Sequence, residues 1–269
     1  MAKKFKDYYD RDWAELLAYK IKQTRDQFDS LGFVSRVVGV VKDKEFLDRQ
    51  DAIVEVFEEV LGKNYQKNVQ LFTTILGPKL QKPEGMFTKG FWLWPIGRYI
   101  EKHGLENVDV SIDFIYELTQ RFTGEFAIRP ILEEFPQKTL RMLLNWSKDN
   151  SEHVRRLASE GMRMRLPWAS RSQIFVDYFD DSIKILDNLK SDEFRFVQKS
   201  VANNLNDLSK THPELVVETT SRWLREDQSK ETQWIVKHAL RSINKKKGYV
   251  RFACTLGNIG TKTGDDRGY

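Results

Sequence analysis

The sequence has little cysteine and no long apolar run. Its single cysteine, Cys254, excludes an internal disulfide bond and a cysteine-rich zinc site. The longest apolar stretches are of the kind seen at residues 37–41 (VVGVV), far short of the ~20 residues that a membrane span needs. Charged residues follow soon after Met1, without the apolar core of a signal peptide. These absences predict an intracellular, cytoplasmic protein with no membrane partner.

A mainly disordered chain is excluded by what the sequence does contain. Hydrophobic residues make up 40% of the 269 residues, aromatic residues 12% and charged residues 31%. Disordered chains lack that much apolar surface to bury. A chain of this length has room for a sizeable core, in one large domain or two small ones.

Glycine and proline become scarce in the second half of the chain. No glycine lies between Gly161 and Gly248, and Pro167 and Pro213 are the only prolines in that stretch. Such a stretch, rich in Leu, Lys, Glu and Arg, is typical of helices joined by short turns. Apolar residues recur at helical spacing in two segments: Ile53, Phe57, Val60 and Leu61, and Val197, Val201, Leu205 and Leu208. Residues 34–41 are the exception, because their many β-branched side chains are also compatible with a β-strand.

A weak internal repeat gives the fold class. Residues 143–160 (LLNWSKDNSEHVRRLASE) align with residues 186–203 (LDNLKSDEFRFVQKSVAN) at an offset of 43, and a poorer third copy runs from Trp223 past Val236. Helix pairs that recur at ~40–47 residues are typical of HEAT and armadillo-like repeats. We therefore predict an all-α fold, an α-solenoid of HEAT-like repeats, as a single domain over residues 1–250. A basic and flexible C-terminal tail is expected over residues 251–269.

The positive charge is unevenly placed. The net charge is only +5, but residues 232–264 hold seven basic residues and no acid. Residues 151–173 hold five arginines and two glutamates. Clusters of this kind suit a polyanion such as nucleic acid, although charge alone favours the simpler explanation of a solvated tail and a charged surface.

Helical geometry brings acids and cations together on one side of each repeat. At 100° per residue, Val154, Leu157, Ala158 and Gly161 share one side of their helix, and Arg156 and Glu160 project together from the other. In the next repeat the corresponding sector holds Lys199, Asn203, Asp207 and Lys210. Neighbouring repeats are thus predicted to present carboxylates and cations on one surface. The alternative is an exposed ion pair that stabilises its helix by ~0.3–0.5 kcal/mol.

Three longer motifs resemble those of a known family. They are residues 122–130 (FTGEFAIRP), 155–168 (RRLASEGMRMRLPW) and 200–210 (SVANNLNDLSK), and residues 238–241 (HALR) with 245–248 look like the same family's ending. They resemble the AlkC-type alkylpurine DNA glycosylases of the AlkC/AlkD superfamily of HEAT-like repeat proteins. The resemblance is strong over residues 108–250 and looser before them.

This resemblance implies hydrolysis of the N-glycosidic bond of cationic alkylated bases, such as 3-methyladenine or methylated cytosine, in double-stranded DNA. By motif, Glu125, Glu160 and Asp207 become the catalytic acids, and Trp168 and Arg156 the lesion contacts. The DNA-binding set is Arg155, Arg163, Arg165, Lys199, Lys210, Lys237, Arg241, Lys245, Lys246 and Lys247. No cofactor is expected, and no metal, because the four histidines are scattered without ligand spacing. We expect a monomer that associates with the nucleoid when it acts.

The sequence departs from the family pattern in two places. Met164 stands where the family usually has proline, and Gln198 and Lys199 stand in a segment that is usually richer in arginine. Either change could alter the grip on DNA. The alternative function is therefore a noncatalytic HEAT-repeat protein that binds branched or distorted nucleic acid. The C-terminal immunoglobulin-like domain of some relatives is not expected after Tyr269. Trp168, directly after Pro167, is otherwise explained as a core tryptophan, and Glu125 as a first-turn carboxylate favoured by the helix dipole.

Overall fold

The structure of the protein is a computed structural model, which describes residues 3–82 and 86–245. These residues form α-helices and short 3-10 turns and no β-strand, so the predicted all-α class is confirmed. None of the helices in this part of the chain is long and apolar enough to cross a membrane. Lys246, Lys247, Cys254 and the predicted tail over residues 251–269 lie outside the described residues.

The chain divides into two compact units, Met1–Ile185 and Leu186–Tyr269. The helices of the first unit are α1 (Arg11–Lys22), α2 (Ser30–Val41), α3 (Phe46–Leu61), α4 (Tyr65–Ile75), α5 (Met86–Lys89), α6 (Trp94–His103), α7 (Val108–Thr119), α8 (Glu125–Glu134), α9 (Pro136–Trp146), α10 (Glu152–Glu160) and α11 (Ile174–Asp177). The boundary falls inside α12 (Phe179–Leu189). The second unit continues with α13 (Arg195–Leu208), α14 (Pro213–Glu226), α15 (Lys230–Ala239) and α16 (Arg241–Lys245). A single repeat domain over residues 1–250 stays a prediction.

The β-branched run left open as a strand is helix α2. Asp29 caps this helix, because its side chain accepts a hydrogen bond from the backbone N–H of Gly32 at 2.9 Å. Phe33, Val34, Val37 and Val41 are all buried, at the spacing of one helix face. Burial of that face against α1 and α3 outweighs the weak helix preference of valine.

The internal repeat corresponds to two helix pairs. α9 and α12 begin at Pro136 and Phe179, and α10 and α13 begin at Glu152 and Arg195, which is the predicted offset of 43 residues in both cases. The apolar stripes predicted for α10 and α13 are buried in full. The predicted helical repeats are therefore confirmed.

Two motif glycines let α8 and α10 come close together. A Cβ on Gly161 would lie 2.7 Å from Cγ2 of Ile128, and a Cβ on Gly124 would lie 2.9 Å from Cγ2 of Ile115 and 3.1 Å from Cδ2 of Leu157. Either side chain would force the helices apart, because real Cβ contacts are longer. The glycines of the FTGEF and LASEG motifs thus position the first turn of α8 beside the polar side of α10.

Candidate active site

A buried ion pair joins the first two acid-bearing motifs. Glu125 is the first residue of α8 and is only 3% exposed. Arg156 of α10 donates to both of its oxygens, with Nη1 at 3.1 Å from Oε2 and Nη2 at 3.1 Å from Oε1. Nη1 also donates to the hydroxyl of Thr123 at 3.0 Å. This two-bond geometry is the strongest way for arginine to hold a carboxylate, and it fixes the orientation of both groups.

The second motif acid lies between two guanidiniums. Oε1 of Glu160 is 2.7 Å from Nη1 of Arg163 and 3.6 Å from Nη2 of Arg156. Glu160 is 5% exposed, and the side chains of both arginines are about nine-tenths buried. The alternative of an exposed helix pair is therefore wrong, because the polar side of α10 is covered by the protein. We call Glu125, Arg156, Glu160 and Arg163 the acid cluster.

The electrostatics of the acid cluster depend on its two carboxylates. Burial opposes the charge of Arg156, but Glu125 and Glu160 outweigh it and raise the pKa of Arg156 above its ordinary value. Two glutamates and two arginines make the cluster formally neutral. A buried arrangement of this kind tolerates poorly the loss of one partner, because the remaining charge is left uncompensated.

A further buried arginine supports the loop after α10. Arg129 of α8 donates to three backbone carbonyls, those of Gly161 at 3.4 Å, Arg163 at 2.9 Å and Ser170 at 2.7 Å. Burial lowers the pKa of Arg129, since carbonyl dipoles compensate a charge less than carboxylates do. This one side chain ties α8 to the loop that contains Arg163 and Trp168.

Trp168 lies on that loop and faces solvent. Its side chain is 52% exposed and its backbone is in the left-handed region, with φ of 63°. The indole contacts the rings of Phe46 and Trp94, with centroids 5.5 Å away in both cases, and that of Phe5 at 6.2 Å. The alternative of a core tryptophan is wrong. Trp94 also stacks on Phe126, the neighbour of Glu125, so the aromatic cluster reaches the acid cluster.

The third motif acid belongs to the second unit. Asp207 of α13 is 4% exposed, and its Oδ1 accepts from Nζ of Lys210 at 3.2 Å. The neighbouring Asn206 donates to the carbonyl of Ala239 at 3.0 Å, which fastens α13 to α15. Asp207 is thus buried rather than displayed on a solvated face, and it pairs with Lys210. The predicted surface shared with Glu160 stays a prediction.

The predicted DNA-binding cations divide into three groups. Arg163 is buried and pairs with Glu160, so its assignment to phosphate contact is corrected. Arg155 is half-buried and donates to the carbonyls of Asp149 and Asn150, and Arg241 donates to Oδ1 of Asn203 at 2.8 Å. Lys199, Lys210, Lys237 and Lys245 are exposed, and Arg165 is half-buried.

Met164 and Gln198, which depart from the family pattern, are internal, whereas Lys199 beside Gln198 is exposed. Met164 is 5% exposed, and its carbonyl accepts from the backbone N–H of Ser172 at 3.2 Å. Gln198 is 2% exposed and donates from Nε2 to the carbonyl of Asp192 at 2.6 Å. Neither side chain is placed to contact DNA directly, so the expected change in DNA grip does not arise from contact at these two positions.

Three contributors to the site were not found in the sequence. Thr123 and Arg129 lie inside the FTGEFAIRP motif, so the motif contained the signal but not the roles. Phe46 contacts Trp168 from helix α3, far away in the chain, and no pattern in the sequence connects the two. Among the described residues, no group of His, Cys, Asp and Glu is arranged to hold a metal ion.

The fold and the acid cluster define a class of protein. The family model described as "DNA alkylation repair enzyme" matches residues 123–243, which contain Glu125, Glu160 and Asp207. A curated relative, the uncharacterized protein YhaZ of Bacillus subtilis (strain 168), is 45% identical over 148 residues. That match covers 55% of this chain and 41% of the relative. The chain is thus similar to less than half of that relative's length.

A solved structure extends the likeness to almost the whole chain. The alkylpurine DNA glycosylase AlkC of Pseudomonas fluorescens, bound to DNA containing an abasic site analog, is 32% identical with a TM-score of 0.82. The alignment covers 95% of this chain and 68% of that chain. The chain therefore belongs to the AlkC family of DNA alkylation repair proteins, as the motifs predicted.

Proposed function

We propose that the protein is a monofunctional DNA glycosylase that hydrolyses the N-glycosidic bond of cationic alkylated bases, such as 3-methyladenine, in double-stranded DNA. The observation that carries the proposal is the placement of Glu160, a buried carboxylate that two arginines hold in one position. A group fixed in this way needs no reorganisation when charge develops beside it. Membership of the AlkC family supports the same substrate class.

The proposed reaction needs no strong proton donor, but it needs carboxylates that stabilise positive charge on the sugar. A purine alkylated on N3 or N7 already carries a positive charge, so it leaves without further protonation. As the bond breaks, the sugar gains oxocarbenium character. Glu125, Glu160 and Asp207 are proposed to stabilise that charge and to orient the attacking water. The arginines are the donors in the bonds within the acid cluster, so its carboxylates act as acceptors.

Trp168 supplies the contact to the lesion in this proposal. An exposed indole attracts a cationic base or sugar through its ring face, with an energy of ~0.5–2 kcal/mol. Phe46 and Trp94 hold the ring in place. The exposed lysines of the predicted DNA-binding set, with Arg165 and Arg241, are proposed to contact phosphates, which positions the duplex without reading its sequence.

The test is single-turnover release of bases from methylated duplex DNA, followed by chromatography of the free bases. We expect wild type to release 3-methyladenine, and Glu160→Gln to release it about 10²–10³-fold more slowly, because one preorganised electrostatic group has lost its charge. Glu134→Gln makes the same charge change at an exposed position of α8 and serves as the control. A Glu160→Gln variant that excises at the wild-type rate would remove this acid from the mechanism.

Two further measurements define the reaction class. Uracil is a neutral leaving group that needs a proton donor, so we expect no uracil release from the same duplex. The described contacts of the acid cluster involve arginine and no lysine. Lys210, which pairs with Asp207, is assigned to phosphate with Lys199, so no Schiff base is expected. Borohydride should therefore trap no protein–DNA adduct. Efficient uracil release or an abundant adduct would contradict the mechanism.

A second candidate function is noncatalytic binding of branched or distorted nucleic acid. The observation that favours it is the pairing of both Glu125 and Glu160 with arginine, which a purely structural cluster would share. In that case wild type would release no base from methylated DNA, and it would bind a four-way junction more tightly than a linear duplex of the same length. The chromatographic assay and a binding titration separate the two functions.

A further inference from the structure

A cationic pocket lies in the first unit, apart from the predicted DNA-binding residues. It has a volume of about 620 Å³. Five cations and one indole are among its lining side chains, namely Lys20, Lys79, Lys82, Lys89, Arg121 and Trp92. Three of the lysines lie within residues 79–89, whereas Lys20 and Arg121 are distant from them in the sequence. No acidic residue contributes to the lining among the residues that the structure describes.

Two hydrogen bonds fix one wall of the pocket. Nε of Arg121 donates to the carbonyl of Gly77 at 2.6 Å, and the backbone N–H of Leu80 donates to the carbonyl of Gln120 at 2.9 Å. Gly77 has φ of +79°, a conformation that favours glycine and turns the chain after α4 toward Arg121. The pocket wall is therefore built by folded backbone and is not a chance grouping of surface side chains.

The charge of the pocket is only partly compensated. Glu117 pairs with Arg121 at 2.7 Å and with Lys79 at 3.4 Å. Among the described residues, no carboxylate lies within ion-pair distance of Lys20, Lys82 or Lys89. Nζ of Lys20 lies 4.7 Å from the centre of the Trp92 ring. The ammonium groups of Lys82 and Lys89 are thus available to an anionic ligand, and Lys20 lies beside them against the Trp92 ring.

The pocket and the acid cluster are joined by one short turn. Arg121 lines the pocket, and Thr123, two residues later, accepts the hydrogen bond from Arg156. Glu125 follows at the start of α8. A ligand held in the pocket would therefore lie close to the turn that leads into the acid cluster.

We propose that this pocket binds a phosphodiester group of a DNA strand, with an adjacent sugar or base against Trp92. Lysine ammoniums are compact charges that suit phosphate oxygens, and aromatic rings stack on any base. The volume exceeds that of a phosphate alone and leaves room for part of a nucleotide. The proposal rests on the proposed function for its choice of DNA, whereas a free nucleotide would offer the pocket the same chemistry.

The test is the salt dependence of binding to an undamaged duplex, measured by fluorescence anisotropy. The pocket variant is Lys82→Ala with Lys89→Ala, since both side chains are exposed. The control is Lys63→Ala with Lys67→Ala, an equal change of charge at exposed positions of the same unit outside the pocket. Circular dichroism and thermal unfolding check that both variants fold as wild type does.

We expect the slope of log K against log salt to become shallower by about 0.9 in the pocket variant, because one neutralised phosphate is lost. Between 50 and 200 mM salt, wild type should then lose about 3.5-fold more affinity than the pocket variant does. The control should keep the wild-type slope. A pocket variant with the wild-type slope, or a control that shifts equally, would overturn the proposal.

A calorimetric titration with AMP distinguishes the two sources of phosphate. AMP binding that the pocket variant loses, together with an unchanged DNA slope, would assign the pocket to free nucleotide and overturn the DNA proposal. The duplex is undamaged, so these results do not depend on base release. If wild type releases no base but shows the pocket-dependent slope, the proposed glycosylase function fails and this inference stands. If wild type releases base and the slopes are equal, the reverse holds.

Discussion

Arg156 donates to both carboxylate oxygens of Glu125, at 3.1 Å each, across 31 positions of the sequence. The pair joins the first turn of α8 to the polar side of α10, and Glu160 lies 3.6 Å from the same guanidinium. Glu125 and Glu160, two of the three acids that the family motifs assign to catalysis, are therefore also part of the internal packing of the first unit. Under the proposed function, a substitution at either position should therefore affect both stability and activity.

The first prediction concerns that coupling. Arg156→Met leaves Glu125 buried without its arginine and removes one of the two guanidiniums beside Glu160, so we expect the free energy of unfolding to fall by about 3–5 kcal/mol. Glu125→Gln should destabilise as well, and the double variant should lose less than the sum of the two, by about 0.5–3 kcal/mol. Urea unfolding of the four proteins measures this difference. Strictly additive losses would show that the two side chains do not interact in solution.

Glu160→Gln is also expected to lose some stability, which differs from what an exposed helix pair would show. The amide keeps an acceptor for Arg163 but removes the charge that compensates two buried guanidiniums. We expect a loss of about 1–3 kcal/mol, the range for an imperfectly paired buried group. Base release by this variant must therefore be measured well below its own unfolding temperature. Unfolding identical to wild type would contradict the buried pairing.

Trp168 should behave in the opposite way, with activity lost and stability kept. Trp168→Leu removes a half-exposed ring, so we expect base release to fall by about 2–30-fold, from the ~0.5–2 kcal/mol of a cation–π contact. Unfolding should shift little. Trp94→Leu is the matched control, because that ring is 4% exposed and its loss should destabilise the fold. Early unfolding of Trp168→Leu would make Trp168 a structural residue.

The loop after α10 should open locally when the hydrogen bonds from Arg129 are removed. Arg129→Met removes donors to three carbonyls, and hydrogen bonds from a charged group stabilise by about 1.5–3 kcal/mol each. We expect amide hydrogen exchange to speed up over residues 161–170 before it does elsewhere in the first unit. Arg141→Met, an exposed change in α9, should leave that exchange unchanged. Equal protection in both variants would contradict this role.

The last prediction is the pH dependence of stability at His153. Burial lowers the pKa of His153 below its ordinary value of 6.5. The unfolded chain therefore takes up a proton near pH 6.5 that the folded protein resists, so stability is full above that pH and falls as the pH drops toward the folded pKa. Thermal unfolding at pH 7.5 and pH 5.5 should show a smaller difference for His153→Gln than for wild type. An unchanged difference would exclude His153 as a source.

The helical repeats were predictable because they depend on local properties. The scarcity of glycine and proline and the 3.6-residue spacing of apolar side chains act within each helix, and the offset of 43 residues recurs in the bounds of both helix pairs. The β-branched segment of α2 was ambiguous for the same reason. Its strand preference is a local property of the residues, whereas its burial against α1 and α3 depends on tertiary packing.

The candidate site was predictable only in part. Motifs identified Glu125, Glu160 and Trp168, and helical spacing brought Arg156 beside Glu160. Helical spacing gives the sector into which each side chain projects but not what covers that sector. Arg163 was therefore assigned to phosphate, although it is buried against Glu160.

The sequence by itself determined the all-α class, the repeat and the family. Each of them depends on patterns within short segments: the spacing of apolar residues, the similarity of two segments, and the motifs. Only the tertiary structure decided which charges face one another. It buried the acid cluster, left Trp168 exposed, and brought Lys20, Lys82 and Lys89 around one pocket. The physical reason is that burial and ion pairing depend on the packing of helices that are distant in sequence. A charge buried beside its opposite and a charge exposed to a ligand look the same until that packing is known.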